Sequence, residues 1–420
     1  MYNEKQNKAI TSEDSKIVIV APPGSGKTLT MSGAIDYYLK THKPKHVVAV
    51  TFTNAAASEL KQRVFDNNIV HTATIHSWSF KELRKLADKH KFRAKILQED
   101  QIMMLLQPLM KRYGISKYAK WKVYHYAMGN YNIDVPYYMK SKYRAIAEQY
   151  IDIKRERHLY DFTDLPLYLK DKLEEYDEYI YTDGIFVDEF QDVDPIQLDV
   201  FERVISPKKF FIGDPDQAIY LFRGASSEVF EHLEDFNIYN LDVNYRSYQN
   251  ILNYATSMKE QAFSSLHAGI ETAAGNIADY NLSHIKAFKG DGGQVINETT
   301  FSVCYDSGRE ISFDKFEGIV EDELLEYEPR ILCRTNKEVK AIKELNYDNV
   351  STIHKAKGLE YPSVILVNFP IVEEEDINIA YVAATRAENK LFIINNHSLM
   401  GILERIKAQL KENKRIENAF

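Results

Sequence analysis

The first 80 residues alternate short apolar runs with longer stretches of helical character. The apolar run Lys16–Val20 leads into the glycine-rich residues 21–26, and a helical pattern follows over residues 27–39. A second β-branched run, at residues 46–53, is again followed by a helical pattern that begins at Ala55. Because strands that alternate with helices are joined by crossover connections, this pattern predicts a parallel sheet.

The alternation of predicted strands and helices changes twice further along the chain. Residues 81–165 lose the strand pattern and are predicted to be mostly helical, and strand-like runs return at residues 184–188 and 209–213. A second α/β set follows, with strands predicted at residues 330–334, 349–353, 363–368 and 390–395. The predicted organisation is one lobe at residues 1–80 and 166–240, a helical insertion at residues 81–165, and a second lobe at residues 241–420.

Composition is typical of a globular chain in a reducing compartment. Hydrophobic residues make up 45% of the 420 residues and charged residues 27%. The N-terminus is polar, and no apolar run approaches the roughly 18 residues that a membrane span needs. The chain has two cysteines, Cys304 and Cys333, which are too few for a four-cysteine metal site. We expect both to be reduced, buried thiols of a cytoplasmic protein.

The net charge of −8 conceals a strongly basic segment. Residues 81–157 hold 18 lysines and arginines against 8 acidic residues, together with Trp121 and nine tyrosines. A basic segment within an acidic chain is typical of a local phosphate-binding surface. The alternative is a helical subdomain with a solvated basic face and an aromatic core.

Residues 21–28, with the sequence APPGSGKT, carry the first candidate chemistry. A strand runs into a glycine-rich turn that opens a helix, so backbone N–H groups can surround phosphates at a helix N-terminus. The residues predicted to contact phosphates are Pro23, Gly24, Ser25, Gly26 and Lys27, and Thr28 is predicted to bind Mg²⁺. The general pattern begins with Gly, where this chain has Ala21. The alternative is a strand–helix loop without a nucleotide.

Two adjacent acids, Asp188 and Glu189, follow a predicted buried strand. This pair allows one carboxylate to hold Mg²⁺ while the other positions or deprotonates an attacking water. Acidic pairs at strand ends are common on protein surfaces, so the pair gains its significance from the phosphate loop.

Eight further segments occur in one order along the chain. They are NEKQ (3–6), TFTNAAASEL (51–60), TIHS (74–77), DFTDL (161–165), GDPDQAIYLFRGA (213–225), LDVNYRS (241–247), STIHKAKGLEY (351–361) and AYVAATRA (380–387). In this order they resemble the motifs of the UvrD/PcrA/Rep group of superfamily 1A DNA helicases. The resemblance implies an α/β protein with two RecA-like P-loop NTPase lobes and a helical insertion, called 1B, in the first lobe.

The resemblance also implies a nucleotide site. Gln6 is expected to read the adenine, Tyr245 to stack on it, and Gly358 and Glu360 to lie near the nucleotide. The expected catalytic residues are Lys27, Glu189, Gln217, Arg246 and Arg386. Arg246 and Arg386 would act as arginine fingers supplied by the second lobe, which can be worth about 10³ to 10⁵ in rate. Hydrolysis would then require the lobes to close.

A single-stranded DNA path is the third implication. Phe52, Tyr220 and Phe222 resemble aromatic positions that stack on bases, and Asn54, His76, Arg223 and His354 are expected to contact the strand. Stacking contributes roughly 1–3 kcal/mol per base without selecting sequence. An isolated Phe or Tyr more often belongs to the core, so these assignments depend on the motifs around them.

The chain departs from the family pattern at several positions. Ala55 stands where the family often has Lys, Leu29 where it often has Arg, and Phe222 where it usually has Trp. Full-length relatives insert a large subdomain, called 2B, where this chain has only 14 residues between Asn336 and Ser351. The resemblance therefore does not extend to behaviour that the family owes to 2B, including part of its duplex contacts.

These features predict an ATP- and Mg²⁺-dependent 3′–5′ single-stranded DNA translocase and DNA helicase. Its expected partners are single-stranded DNA and single-strand/duplex junctions, and the chain is expected to act as a monomer away from membranes. A protein partner stays open. One alternative is a DNA-stimulated ATPase that remodels nucleoprotein or signals to a partner without unwinding. The other is a nucleotide-gated DNA-binding module, which retention of all five catalytic residues argues against.

Overall fold

The computed structural model describes most of the chain in two compact units. The described residues are 2–64, 68–128, 137–219, 227–230, 233, 235–266, 285–300, 303–306 and 308–417. The first unit comprises Met1–Ile19, Thr28–Gly213 and Tyr220–Tyr239, and the second comprises Val20–Lys27, Asp214–Ile219 and Asn240–Phe420. Within the described ranges, no helix is both long and apolar enough to cross a membrane.

The first unit is built on a six-stranded sheet. Eight strands are described in this part of the fold, and six of them form the main sheet. They are β1 (Lys16–Val20), β2 (Val47–Thr51), β3 (Val70–Thr74), β4 (Ile180–Tyr181), β5 (Gly184–Val187), β6 (Val204–Ile205), β7 (Lys209–Gly213) and β8 (Asn237–Asn240). The main sheet has the order β3-β2-β5-β7-β1-β8, and β4 pairs with β6 in a small separate sheet. β2 pairs in parallel with β3 and β5, and β5 with β7. All residues of β2 are buried, as expected of a strand covered on both faces.

Nine α-helices in the described part of the first unit surround and extend this sheet. They are α1 (Glu4–Ile10), α2 (Lys27–His42), α3 (Asn54–Arg63), α4 (Ile75–His90), α5 (Glu99–Arg112), α6 (Lys120–Ala127), α7 (Tyr137–Arg157), α8 (Leu165–Glu175) and α9 (Pro195–Glu202). The first residue of α2, Lys27, is assigned to the second unit. α5, α6 and α7 share an apolar core of their own, which includes Leu106, Val123 and Ile146. The fold therefore has a separate helical layer within residues 99–157.

The second unit contains a seven-stranded sheet. Nine strands are described in the second unit, and seven of them form this sheet. They are β9 (Val243–Asn244), β10 (Lys286–Ala287), β11 (Gln294–Thr300), β12 (Val303–Asp306), β13 (Arg309–Ile311), β14 (Arg330–Cys333), β15 (Val350–Thr352), β16 (Tyr361–Val367) and β17 (Ala387–Ile394). The sheet order is β13-β12-β11-β17-β16-β14-β15, and β9 pairs with β10 separately. Strands β11, β17, β16, β14 and β15 are parallel, whereas β12 and β13 add an antiparallel edge.

Helices pack against this second sheet. They are α10 (Gln249–Leu266), α11 (Phe313–Glu326), α12 (Asn336–Glu344), α13 (Ile353–Ala356), α14 (Glu374–Ala384) and α15 (Asn396–Glu417). The core beneath α11 and α15 joins residues such as Phe316, Ile365 and Ile402. Cys333 lies in this core as a free thiol, and burial raises its pKa well above the usual value. Its predicted reduced, buried state is confirmed.

The structure confirms the predicted α/β class with two parallel sheets flanked by helices. Boundaries differ where a polar residue caps a helix. The run predicted as a strand at residues 46–53 ends at Thr51, because the Thr53 side chain accepts a hydrogen bond from the Ala56 N–H and begins α3. α4 begins at Ile75 for the same reason, with Thr74 as its cap.

The sequence pattern missed β11, although this strand lies inside the second sheet. Its sequence, QVINETT, is too polar to be recognised as a buried strand. Glu298 is nevertheless buried, since its carboxylate accepts hydrogen bonds from the Asn395 N–H at 3.0 Å and the Ser398 hydroxyl at 2.8 Å. The carboxylate thus satisfies donors at the start of α15, which the local sequence does not reveal.

Candidate functional site

The phosphate-loop residues form a tight turn in the second unit. Gly24 and Gly26 have φ angles of +67° and +81°, which only glycine adopts without strain. A Cβ on Gly24 would lie 2.7 Å from the Cβ of Arg246, so the close approach itself also requires glycine. Ser25 is buried and its hydroxyl donates to the Pro22 carbonyl at 2.7 Å. A turn of this kind presents successive backbone N–H groups to an anion.

Asn244 ties this turn to the segment that carries Arg246. Its buried side-chain amide donates to the Pro23 carbonyl at 2.6 Å. Its oxygen accepts from the N–H groups of Arg246 and Ser247 at 2.8 and 2.7 Å. Sequence reasoning did not single out Asn244, although it lies in the LDVNYRS motif.

The structure brings two predicted site residues together as an ion pair. The Arg246 Nε donates to the Glu360 carboxylate at 2.8 Å, and one terminal nitrogen of Arg246 donates to the Thr385 carbonyl at 3.4 Å. Gly358, two residues before Glu360, has φ +82°, a conformation that favours glycine. Arg246 and Glu360 are therefore held as a pair beside the phosphate-loop turn.

Gln217 and Arg386 form the most buried part of the site. Arg386 is 1% exposed and one of its terminal nitrogens donates to the Gln217 side-chain oxygen at 3.1 Å. Its other guanidinium nitrogens donate to the carbonyls of Val382 at 2.9 Å and Leu359 at 3.2 Å. These bonds hold the guanidinium in one orientation, as a group that stabilises a developing phosphoryl charge must be held.

Asp214 orients Gln217 from the other side. The Gln217 amide nitrogen donates to the Asp214 carboxylate at 2.7 Å, which turns the Gln217 oxygen towards Arg386. Burial and the neighbouring charge of Asp216 raise the pKa of Asp214 to about 6, although Lys27, Gln217 and Lys259 act in the opposite direction. Asp216 is ion-paired with Lys259.

The segment Asp214–Ile219 also reaches a predicted DNA contact. The Lys357 Nζ donates to the Gln217 carbonyl at 2.8 Å. Two residues further on, the Ile219 carbonyl lies 3.2 Å from the His354 Nε2. One short segment therefore carries Gln217 and contacts His354 through the Ile219 carbonyl.

An aromatic pair lies at the position predicted to stack on adenine. The Tyr245 ring lies 5.1 Å from the ring of Phe288, which is 73% exposed. Sequence reasoning missed Phe288 because it lies outside every motif.

Gln6, in the first unit, is buried, and its side-chain oxygen accepts from the Asn3 N–H at 3.0 Å in the capping box of α1. That oxygen has a structural role in addition to the predicted one.

In the first unit, Thr28 and Asp188 supply converging oxygen atoms. The Thr28 hydroxyl donates to the Asp188 carboxylate at 3.3 Å. A hydroxyl and one carboxylate fit Mg²⁺, which usually takes one or two protein oxygens and completes its shell with water and phosphate. Among the described residues there is no cluster of three or more His, Cys, Asp or Glu that could hold a metal by itself.

Glu189 follows Asp188 in a strained conformation. Its φ of +51° is uncommon for a residue with a side chain, and such strain concentrates at functional positions. The Gln191 amide nitrogen donates to the Glu189 carboxylate at 2.5 Å. Gln191 in turn packs directly against Gly213, since a Cβ added to Gly213 would lie only 2.5 Å from the side-chain oxygen of Gln191. The carboxylate is thus fixed next to the predicted magnesium ligand.

Phe52 and His76 line a cavity of about 690 Å³ in the first unit. The ring of Phe162 lies 6.0 Å from the His76 ring, inclined by 16°, and Phe162 is 62% exposed. Sequence reasoning singled out the DFTDL motif but assigned no role to its aromatic residue. Asn54 is exposed at the start of α3. The predicted DNA contacts Tyr220, Phe222 and Arg223 lie outside the described residues.

These features define the chain as a P-loop nucleotide-binding protein with two α/β units. The UvrD/REP helicase N-terminal domain matches residues 2–237, and the UvrD-like helicase C-terminal domain matches residues 305–398. Because the first match covers more than half of the chain, the chain belongs to the UvrD/REP helicase family. It is therefore an enzyme of the DNA-helicase class, as the motif resemblance predicted.

Individual relatives agree with this family. The chain is 26% identical to a probable DNA helicase of Mycoplasma pneumoniae, over 94% of this chain and 83% of the relative. It is 28% identical to the ATP-dependent DNA helicase PcrA of Staphylococcus aureus, over 65% of this chain and 42% of the relative. It is 29% identical to the ATP-dependent DNA helicase Rep of Buchnera aphidicola, over 61% of this chain and 43% of the relative. The chain thus spans less than half the length of PcrA and Rep.

Proposed function

We propose that the chain hydrolyses ATP with Mg²⁺, moves 3′–5′ along single-stranded DNA and unwinds duplex DNA. The observation that carries this proposal is the segment Asp214–Ile219 of the second unit. One end of it binds Arg386 through Gln217, and the other end contacts His354. A single short segment thereby connects a group suited to phosphoryl chemistry with a predicted contact to DNA.

Each candidate catalytic residue has a role in this proposal. The turn at Gly24 and Gly26 binds phosphates with backbone N–H groups, and Lys27 contributes a positive charge. Thr28 and Asp188 would hold Mg²⁺, which neutralises phosphate charge when bound. Glu189 positions and deprotonates the attacking water. Gln217 and Arg386 stabilise the charge of the transferring phosphoryl group, together with Arg246 once it leaves Glu360.

DNA binding is supported by the exposed ring of Phe162 and the half-buried rings of Phe52 and His76 beside a cavity. Phe52, His76 and Phe162 would stack on unpaired bases without reading their identity. On the helical layer, Tyr118 and Trp121 are exposed, and the Nζ atoms of Lys117 and Lys120 lie 5.6 and 5.3 Å from those rings. This basic, aromatic surface would bind the duplex at a single-strand/duplex junction.

Reversing the charge of Lys117, Lys120 and Lys122 tests the role of that surface. DNA should bind more weakly, and the dependence of affinity on salt should become shallower. The log–log slope for a duplex should fall by about 0.9 for each phosphate that these lysines no longer neutralise. An unchanged slope would exclude these lysines as phosphate contacts.

Steady-state ATP hydrolysis with and without an oligo-dT strand tests the proposed function. We expect strong stimulation by the strand, its loss in Lys27→Ala, and its retention in Lys40→Ala, which removes an exposed lysine from the end of the same helix. Duplexes with a 3′ or a 5′ single-stranded tail then test direction. Absence of stimulation in a folded protein would contradict the proposal.

One observation favours a second candidate, a translocase that remodels nucleoprotein without unwinding. Between β14 and β15 the chain forms only α12 (Asn336–Glu344) and short connections, where longer relatives carry a subdomain. Stimulated hydrolysis without displacement from a 3′-tailed duplex would favour this candidate. Displacement would favour the helicase.

A further inference from the structure

A buried ionic cluster in the first unit explains the DFTDL motif. Lys154, in the last turn of α7, is 5% exposed, and its Nζ lies 2.7 Å from the carboxylates of both Asp161 and Asp164. We propose that Lys154 is a positioning residue, which through these two carboxylates fixes the turn at residues 161–165 so that Phe162 presents its ring to an unpaired base. This inference rests on the proposed function, because it assumes that single-stranded DNA binds this face.

The cluster holds the turn at several points. The Lys154 Nζ donates to Asp161 Oδ2 at 2.7 Å and to both oxygens of Asp164 at 2.9 and 2.7 Å. The Tyr150 hydroxyl, one helical turn before Lys154, donates to Asp161 Oδ2 at 2.9 Å. One end of α7 is therefore joined to both acidic residues of the motif.

The remaining carboxylate bonds act within the turn itself. Asp161 Oδ1 accepts from the Thr163 N–H at 2.8 Å and from the Thr163 hydroxyl at 2.6 Å. Asp164 Oδ2 accepts from the Asp161 N–H at 2.8 Å. Each carboxylate oxygen is thus bonded, and buried polar groups bonded this completely permit a single arrangement.

This frame explains why an aromatic side chain can be held in solvent. Phe162 lies between the two aspartates in a one-turn 3-10 helix and remains 62% exposed. Its ring is nearly parallel to the ring of His76, which lines the same cavity as Lys154 and Asp164. A ring that is fixed before binding loses less conformational freedom when a base stacks on it, so fixing the turn strengthens binding.

The test uses the full chain and an oligo-dT strand that carries a fluorescent 2-aminopurine base, whose emission falls on stacking. In Lys154→Met we expect about 10-fold weaker binding, as for the loss of one stacked base, and loss of the stacking signal. The salt dependence should stay unchanged, because the buried Lys154 contacts no phosphate. Lys208→Met is the matched control, since Lys208 is also buried but binds the carbonyls of Ser12 and Asp14.

A double-mutant cycle with Phe162→Ala separates positioning from general destabilisation. If Lys154 acts through Phe162, adding Lys154→Met to Phe162→Ala should weaken binding less than 2-fold further. If the two losses multiply, or if Lys208→Met abolishes the stacking signal equally, the inference is wrong. Should Lys154→Met fail to fold, Asp164→Asn replaces it in the same cycle, because Asp161 keeps its pairing with Lys154.

The outcomes also separate this inference from the proposed function. Failure of the unmodified chain to bind oligo-dT would overturn both. Normal binding by the unmodified chain, with no effect of Phe162→Ala, would overturn only the inference.

Discussion

The two units each bury a polar network, and the two networks differ in how charge is balanced. In the first unit, Lys154 is paired with two carboxylates. The charge of Lys154 and hydrogen bonds from Lys154, Thr163 and Tyr150 hold the pKa of Asp161 below its usual value although burial acts in the opposite direction, whereas burial and the charge of Asp161 raise the pKa of Asp164. In the second unit, burial and the nearby Asp216 prevail at Asp214 and raise its pKa to about 6.

The bonds that each network makes separate a structural network from one that is suited to chemistry. In the first network every carboxylate oxygen is hydrogen-bonded, and a network that is bonded this completely is rigid. The network around Gln217 keeps a carboxylate with a displaced pKa next to an arginine that donates to the uncharged oxygens of Val382, Leu359 and Gln217. Displaced pKa values occur both in functional sites and in structural ion-pair networks, so the bonds of Arg386, and not the pKa alone, distinguish this network.

The largest expected effect tests the catalytic role of the second network. Arg386→Ala should reduce the DNA-stimulated turnover number for ATP by about 10³-fold, because an arginine finger contributes at least this much. Arg405→Ala is the control, since Arg405 forms a partly exposed ion pair with Glu317 on the surface of the same unit. A decrease smaller than 10-fold would assign Arg386 a structural role.

The next effect tests the structural role of the first network. Asp161→Ala should lower the free energy of unfolding by about 3–5 kcal/mol, because the buried Tyr150 hydroxyl loses its acceptor and the buried Lys154 loses one of its two carboxylates. Replacing the cluster with Met at position 154 and Asn at positions 161 and 164 should cost less, since no buried charge remains. Urea unfolding measures both, and equal costs would show that packing rather than charge dominates.

A smaller, pH-dependent effect tests the raised pKa of Asp214. The pKa of Asp214 is about 6 in the folded chain and near 3.8 when unfolded, so folding favours the protonated form. Relative to Asp214→Asn, the unmodified chain should lose on the order of 2–3 kcal/mol of stability as pH rises from about 4 to about 6. Urea unfolding midpoints at several pH values measure this difference. A flat difference, or a gain in stability with rising pH, would contradict the raised pKa.

The smallest effect is expected at an exposed ion pair. Arg144 lies 3.0 Å from Glu148 on α7, the helix that carries Lys154, but both side chains are mostly exposed. Arg144→Ala should change the free energy of unfolding by less than about 0.5 kcal/mol. A loss comparable with that of Asp161→Ala would mean that α7 is sensitive to any change in charge.

Local sequence was informative wherever one short segment supplies all the necessary chemistry. Gly24, Gly26 and Lys27 lie within four residues, and Asp188 and Glu189 are adjacent, so their types and spacing were enough to predict a phosphate loop and an acidic pair. Asn244 and Phe288 were missed because their roles come from distant neighbours, Pro23 and Tyr245. β11 was missed because the bonds that bury Glu298 come from α15, about 100 residues away.

The sequence by itself determined the alternating α/β pattern, the order of the motifs and the residue types available for nucleotide and DNA chemistry. Tertiary structure alone decided which of those residues meet: Arg386 with Gln217, Arg246 with Glu360, and Lys154 with both aspartates of DFTDL. The physical reason is that periodicity and turn chemistry are properties of neighbouring residues, whereas charge pairing and burial depend on groups that only the folded chain brings together.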